Sequence, residues 1–164
     1  GGTMEKRRRI LWVDDDGPDR FRYAESRLKR EGWEVEWAQD VFSAAQKLSK
    51  DAYEGVILDQ ETPLDPNDSR SRWAGCILLH WLRGNSSPPP GLPPLELSRH
   101  GRIALAGRPH TDNLHCPVVV ISDYDAPGLI TALRSASPAD VELPILPKPL
   151  KLEDLRSLLE TWHE

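Results

Sequence analysis

The sequence predicts a doubly wound α/β fold, a five-stranded parallel sheet with helices on both faces, and three observations carry the prediction. Apolar runs without polar alternation recur along the chain, at Ile10–Val13, Val56–Leu58 and Val118–Ile121, as expected of strands buried on both faces. Segments of helical periodicity separate them, and strand alternating with helix implies parallel crossovers. A chain of 164 residues is long enough for one domain with a substantial core.

The elements follow in order. Ile10-Leu11-Trp12-Val13 is the first strand, broken by Asp14-Asp15-Asp16-Gly17-Pro18. Pro18 suits the first turn of a helix, in which Phe21, Ala24 and Leu28 recur at helical spacing until Gly32. Trp33, Val35 and Trp37 alternate with Glu34 and Glu36, the pattern of a half-buried strand at a sheet edge. Asp40 is placed to cap a helix running to about Ser49, with Val41, Ala44, Ala45 and Leu48 inward. Val56–Leu58 is the third strand, Ala74–Leu82 an apolar helix and Val118–Ile121 the fourth strand. A helix is expected over Pro127–Ser135. A fifth strand is expected over Leu143–Leu146, with Pro144 directing it to an edge. Leu152, Leu155, Leu158, Leu159 and Trp162 predict a closing amphipathic helix.

Composition excludes several classes. The formal charge of −5 lacks the basic excess of a nucleic-acid surface, and Arg7-Arg8-Arg9 alone reads as a solvated face. No apolar run approaches the roughly 20 residues that span a bilayer, and no signal peptide is visible. Gly1-Gly2-Thr3 ahead of Met4 reads as a cloning remnant over residues 1–4. Cys76 and Cys116 give no disulfide framework, so a reducing cytoplasm is expected. His100, His110, His115 and Cys116 fit no common zinc spacing. His80, on the apolar helix, reads as a packed or surface histidine. The six tryptophans read mostly as core or edge packing, with Trp81 and Trp162 the alternatives for partner anchors.

With the alternating segment at an edge, the sheet takes the flavodoxin-like order 2-1-3-4-5, whose ligands sit at the carboxyl ends of the strands beside the switch point. Asp14 and Asp15 close the first strand and Asp59 the third, while Ser122 closes the fourth and Lys148 the fifth. One acid after a strand is as readily a helix cap. Several carboxylates at one rim repel unless a cation intervenes, and an all-oxygen set suits Mg²⁺. A hydroxyl and an ammonium nearby then look like phosphate ligands. Asp59 then ends its strand as a group meant to react at the rim.

These residues, ILWVDDD (10–16), ILDQETP (57–63), VVVIS (118–122) and LPKPL (146–150), resemble the receiver domain of two-component response regulators. The resemblance runs from Arg9 to Trp162, with two insertions. It implies that Asp59 accepts a phosphoryl group from a histidine kinase or phosphotransfer protein. It also implies that Asp14 and Asp15 bind Mg²⁺, Asp15 more directly and Asp14 partly through water, with the Glu61 backbone carbonyl completing the set. Ser122 and Lys148 are implied to bond phosphoryl oxygens, and Lys148-Pro149 to be cis. The chain would be a signalling switch rather than an enzyme, assisting its own phosphorylation and dephosphorylation. A pseudo-receiver, an interaction module not regulated by phosphorylation, is the alternative. A metal-dependent hydrolase would need a further acid/base or substrate pocket, and none is legible.

Departures from the family pattern are specific. Asp123 stands where the family usually has a small residue, and either hinders the donor or slows attack by water, or else points to solvent as a helix cap. Ile145 replaces an aromatic that swings inward on switching. Thr62 replaces a common methionine, read as minor, and Glu61 and Tyr124 occupy positions that tend to set dephosphorylation. An extended loop spans 64–73, with Gly75 in the role of the family's loop glycine. A proline-rich insertion spans 84–115 within a single 1–164 domain, and Pro88–Pro94 is a polyproline II segment that is either a spacer or a ligand for a downstream partner. Arg102–Ala106 reads as a small strand or hairpin arm.

Overall fold

The computed structural model describes residues 8–66, 74–85, 105–123, 131, 134 and 143–162. The strands are β1 (Arg9–Val13), β2 (Glu34–Ala38), β3 (Gly55–Asp59), β4 (Val118–Ser122) and β5 (Ile145–Pro147). The helices are α1 (Gly17–Arg20), α2 (Arg22–Arg30), α3 (Val41–Lys50), α4 (Ala74–Leu82) and α5 (Leu152–Thr161), with a 3₁₀ turn at Thr111–Asn113. The sheet order is β2-β1-β3-β4-β5, and every neighbouring pair is parallel. The doubly wound fold class and its flavodoxin-like order are therefore as the sequence predicts.

Side-chain alternation along the strands divides the core into two layers. Ile10, Trp12, Ile57, Val119 and Ile121 point to one face, where Ala24 and Leu28 of α2 and Leu155 and Leu159 of α5 cover them. Leu11, Val13, Val56, Leu58, Val118 and Val120 point to the other, against Ala44 and Leu48 of α3 and Leu78 and Leu79 of α4. All residues of β1, β3 and β4 are buried, which is why those segments read as unbroken apolar runs. The edge strand β2 keeps Glu34 in solvent and Val35 inside.

Local chemistry sets the boundaries. Asp40 caps α3, its Oδ1 accepting the Ser43 N–H at 2.8 Å. The expected first helix divides at Phe21, whose ring stacks on Trp12 at 4.8 Å. Trp37 also stacks on Trp12, at 4.7 Å, and donates its indole N–H to Glu25. The fifth strand begins two residues later than expected, because Pro144 has no N–H and contributes only its carbonyl, to Val120 N at 2.9 Å. Gly75 lies inside α4 rather than in a loop, and an added Cβ would stand 2.1 Å from Gln60 Oε1. Its role is close packing of the helix on the end of β3.

At the far end of the sheet, Arg9 pairs with Glu36 at 2.7 Å, and the Tyr53 hydroxyl bonds the same carboxylate. Burial alone would push the Glu36 carboxyl up, but the Tyr53 hydroxyl and Arg9 guanidinium together hold it below the usual carboxylate range. Asn113, fully buried, accepts from Tyr53 N at 2.9 Å and donates to the Leu48 and Asp51 carbonyls at 2.8 and 2.7 Å. It fastens the returning end of the 84–115 insertion to α3. Leu105 and Ala106 are helical rather than extended. The polyproline segment, most of the 64–73 loop, His100, Tyr124 and nearly all of the Pro127–Ser135 helix lie outside the described residues. Trp81 is buried, donating to Gly107 O at 3.0 Å, and Trp162 meets Trp33 edge-on at 6.4 Å; both pack internally. Among the described residues no helix is long and apolar enough to cross a membrane.

Candidate functional site

Three strand ends and one loop converge at the carboxyl edge of the sheet. Asp14 follows β1 directly, and its backbone N–H donates to Ala38 O at 2.9 Å, fixing it beside the end of β2. Its Oδ1 accepts the Asp16 N–H at 2.8 Å, whereas Oδ2 is buried without a hydrogen-bond partner. The side chain is 1% exposed. Burial, with the neighbouring Asp59 carboxylate adding to it, pushes the Asp14 carboxyl well above the usual range.

Asp59 is the last residue of β3 and is buried. Its Oδ1 accepts the Glu61 N–H at 2.9 Å, and Lys148 Nζ lies 3.2 Å from Oδ1 and 3.0 Å from Oδ2. Oxygens of Asp14, Asp15 and Asp59 lie within 4.8 Å of one another. This trio is the only His/Cys/Asp/Glu group among the described residues close enough to share a cation. His110 instead turns Nδ1 to the Asp112 N–H at 3.1 Å, and His80 is buried on α4.

Ser122 is the buried last residue of β4, and its carbonyl accepts the Lys148 N–H at 3.1 Å. Lys148 thus holds β4 through its backbone and β3 through its side chain. Lys148-Pro149 is cis. Asp123, next along, has a side chain 59% exposed with Oδ2 4.0 Å from Lys148 Nζ. Ile145 packs half-buried against the α3–α4 side of the core.

The structure brings Asp14, Asp15, Asp59, Glu61, Ser122 and Lys148 to one rim, with Glu61 contributing its backbone N–H to Asp59. Sequence reasoning undervalued two neighbours. Thr62 is fully buried, and its hydroxyl donates to Val13 O at 3.3 Å, tying the ends of β1 and β3 together. Gln60, also fully buried, donates its backbone N–H to Ile121 O at 3.0 Å, tying β3 to β4. A polar residue just past an apolar strand is the signal for Thr62, since a buried hydroxyl must find a partner; the Gln60 bond is made by backbone and leaves no mark in the sequence. A groove of about 300 Å³ opens beside Lys148, lined by Arg20, Phe21, Tyr23, Ala24 and Pro149 among others. Tyr23, 67% exposed, is the exposed large hydrophobic residue among those described.

The chain matches no family model and no curated protein. Its fold is that of solved receiver structures. A response regulator receiver domain from Bermanella marisrubri is 22% identical with a TM-score of 0.62, covering 96% of this chain and 98% of that one. A chemotaxis response regulator of Vibrio cholerae is 18% identical with a TM-score of 0.61, covering 94% and 97%. A response regulator from Burkholderia pseudomallei, solved with a phosphorylated aspartic acid and a calcium ion, is 15% identical with a TM-score of 0.56, covering 91% of this chain and 64% of that one. At these identities the likeness is one of fold.

Proposed function

We propose that this chain is a phosphoacceptor receiver, taking a phosphoryl group onto Asp59 from a histidine kinase or phosphotransfer protein and switching protein contacts in response. The observation that carries the reading is the buried Asp59 carboxylate, held by Lys148 Nζ at 3.0 Å beside two further aspartates at a strand-end rim. Phosphoryl transfer needs positioning and charge neutralisation more than covalent chemistry, and these residues supply both. Two hydrogen-bond donors, the Glu61 N–H and Lys148, orient Asp59 as a carboxylate nucleophile.

The donor set fits a hard divalent cation. Three carboxylates lie within 4.8 Å, and the buried, unpartnered Asp14 Oδ2 is an acceptor that needs a positive partner. Asp14, Asp15, Asp59 and the Glu61 carbonyl would hold Mg²⁺, which when bound offsets charge on phosphoryl oxygens. Lys148 and the Ser122 hydroxyl would take two of those oxygens. Because the Lys148 backbone also holds Ser122 O, a shift of either residue is transmitted to the ends of β4 and β5, the kind of local charge change that drives a two-state switch. The burial of both free cysteines, Cys76 and Cys116, suits a reducing cytoplasm. The groove at Tyr23 suits the donor protein, and the proline-rich insertion suits a downstream one.

Incubation with acetyl phosphate and Mg²⁺, read by intact mass with Asp59→Asn as control, tests the reading. A modification present in wild type and absent from the control is expected; none with either acetyl phosphate or a cognate kinase refutes it. Ile145, packed on the core where a switching aromatic would stand, favours the pseudo-receiver reading, which that double negative would select.

A further inference from the structure

Asp123 is the rim residue whose charge runs against the chemistry around it. Its side chain is 59% exposed, with Oδ2 4.0 Å from Lys148 Nζ. That ammonium is itself 8% exposed and 3.0 Å from Asp59 Oδ2. The lysine therefore stands between one buried carboxylate and one facing water. Asp123 thus shares Lys148 with Asp59, the ammonium lying 3.0 Å from one carboxylate and 4.0 Å from the other. The Lys148 N–H bond to Ser122 O at 3.1 Å holds Asp123, the next residue, at this spacing.

We propose that Asp123 is a specificity-determining residue, a charge filter at the mouth of the site that disfavours small, strongly anionic phosphodonors. The inference rests on Asp59 being the phosphoacceptor. An anion reaching Asp59 meets the Asp123 carboxylate on the solvent side, and Asp123 draws on the Lys148 ammonium that would attract it. Like charge slows approach, and an exposed charge does so in a salt-dependent way, since the Debye length is about 10 Å at 0.1 M salt. The reaction affected is attack of an Asp59 oxygen on phosphorus. A new O–P bond forms, the bond from phosphorus to the acetate oxygen breaks, and its electron pair leaves with acetate.

Two variants separate charge from bulk. Asp123→Asn keeps the shape and removes the charge, whereas Asp123→Ala removes both. At low salt both should raise the rate of modification by acetyl phosphate roughly threefold to tenfold. The gain should be smaller with the less negative donor phosphoramidate, and should shrink as salt rises. With Mg²⁺ alone, titrated by tryptophan fluorescence, Asp123→Asn should bind roughly twofold to fivefold more weakly, since a nearby negative charge is lost. A gain in Asp123→Ala but not in Asp123→Asn would make the effect steric and overturn the proposal, as would Asn matching wild type in both assays. Should no variant, wild type included, be modified by either donor, the phosphoacceptor reading fails and the filter falls with it, whereas modification of wild type at an unchanged rate in Asp123→Asn overturns the filter alone.

Discussion

Lys148→Met removes the positive charge bonded to Asp59 and preserves most of the side chain's volume. The ion pair is buried, with side-chain exposures of 8% and 4% and a separation of 3.0 Å. At an effective dielectric of about 20 the attraction alone is about 5 kcal/mol, but deleting Lys148 also recovers the cost of burying its ammonium. Removing one partner of a buried pair typically costs about 3–5 kcal/mol, because the other charge is left uncompensated. Here the remaining charge faces Asp14 and Asp15 as well. For a chain of this size that corresponds to a fall in Tm of roughly 6–20 °C. Thermal and urea denaturation in a chelator, on wild type, Lys148→Met, Asp59→Asn and the double variant, measures it. The double variant should be closer to wild type than Lys148→Met is, since no unpaired Asp59 charge survives in it. Added Mg²⁺ should restore part of the loss in Lys148→Met by binding the folded state. A Lys148→Met loss below about 1 kcal/mol in chelator would refute the reasoning, because it would mean that water rather than protein surrounds the pair.

Glu36, whose folded pKa is lowered, contributes stability that is present above its unfolded value, near the ordinary carboxylate pKa of about 4.3, and is lost as pH falls through the folded value. Urea midpoints from neutral to acid pH should therefore fall less steeply in Glu36→Gln than in wild type; equal slopes would remove the Arg9–Glu36–Tyr53 cluster from the account. Gly17→Ala should cost about 1–3 kcal/mol and perturb tryptophan emission, because its Cβ would stand 2.2 Å from the Trp37 ring; an unchanged spectrum and midpoint would show that the ring yields freely. Tyr23→Ala should slow phosphoryl transfer from a cognate kinase about tenfold, a loss of about 1.4 kcal/mol, while leaving modification by acetyl phosphate unchanged; equal loss with both donors would place Tyr23 in the site's own support rather than in a docking groove.

The fold was legible because each layer wrote its own period into the chain. Buried on both faces, β1, β3 and β4 gave continuous apolar runs, and half-exposed β2 gave alternation, which also identified it as an edge. Boundaries were less legible where tertiary contacts override local signals. The break at Phe21 comes from a ring that stacks on Trp12, a residue nine positions earlier in sequence. Gly75 looked like a loop glycine, but it marks the approach of α4 to Gln60, which no local pattern contains. Asn113 gave no periodic signal at all, since its three side-chain bonds reach residues 60 or more positions away.

The rim's composition was likewise written at the strand ends, so that fixing the strand order sufficed to bring Asp14, Asp15 and Asp59 together. Orientation was not. Whether Asp123 faces water or the site depends on where Lys148 reaches from another strand, and the answer lies between the two alternatives: the side chain is mostly exposed, yet it stands 4.0 Å from that ammonium. A sequence pattern treats exposure and participation as opposites. For a charge they are not, because its field acts across a Debye length while its hydration keeps it at the surface. A solvent-facing acid can therefore tune a buried site without touching the group that reacts, and the charge-against-bulk comparison at Asp123 is the experiment that separates the two properties.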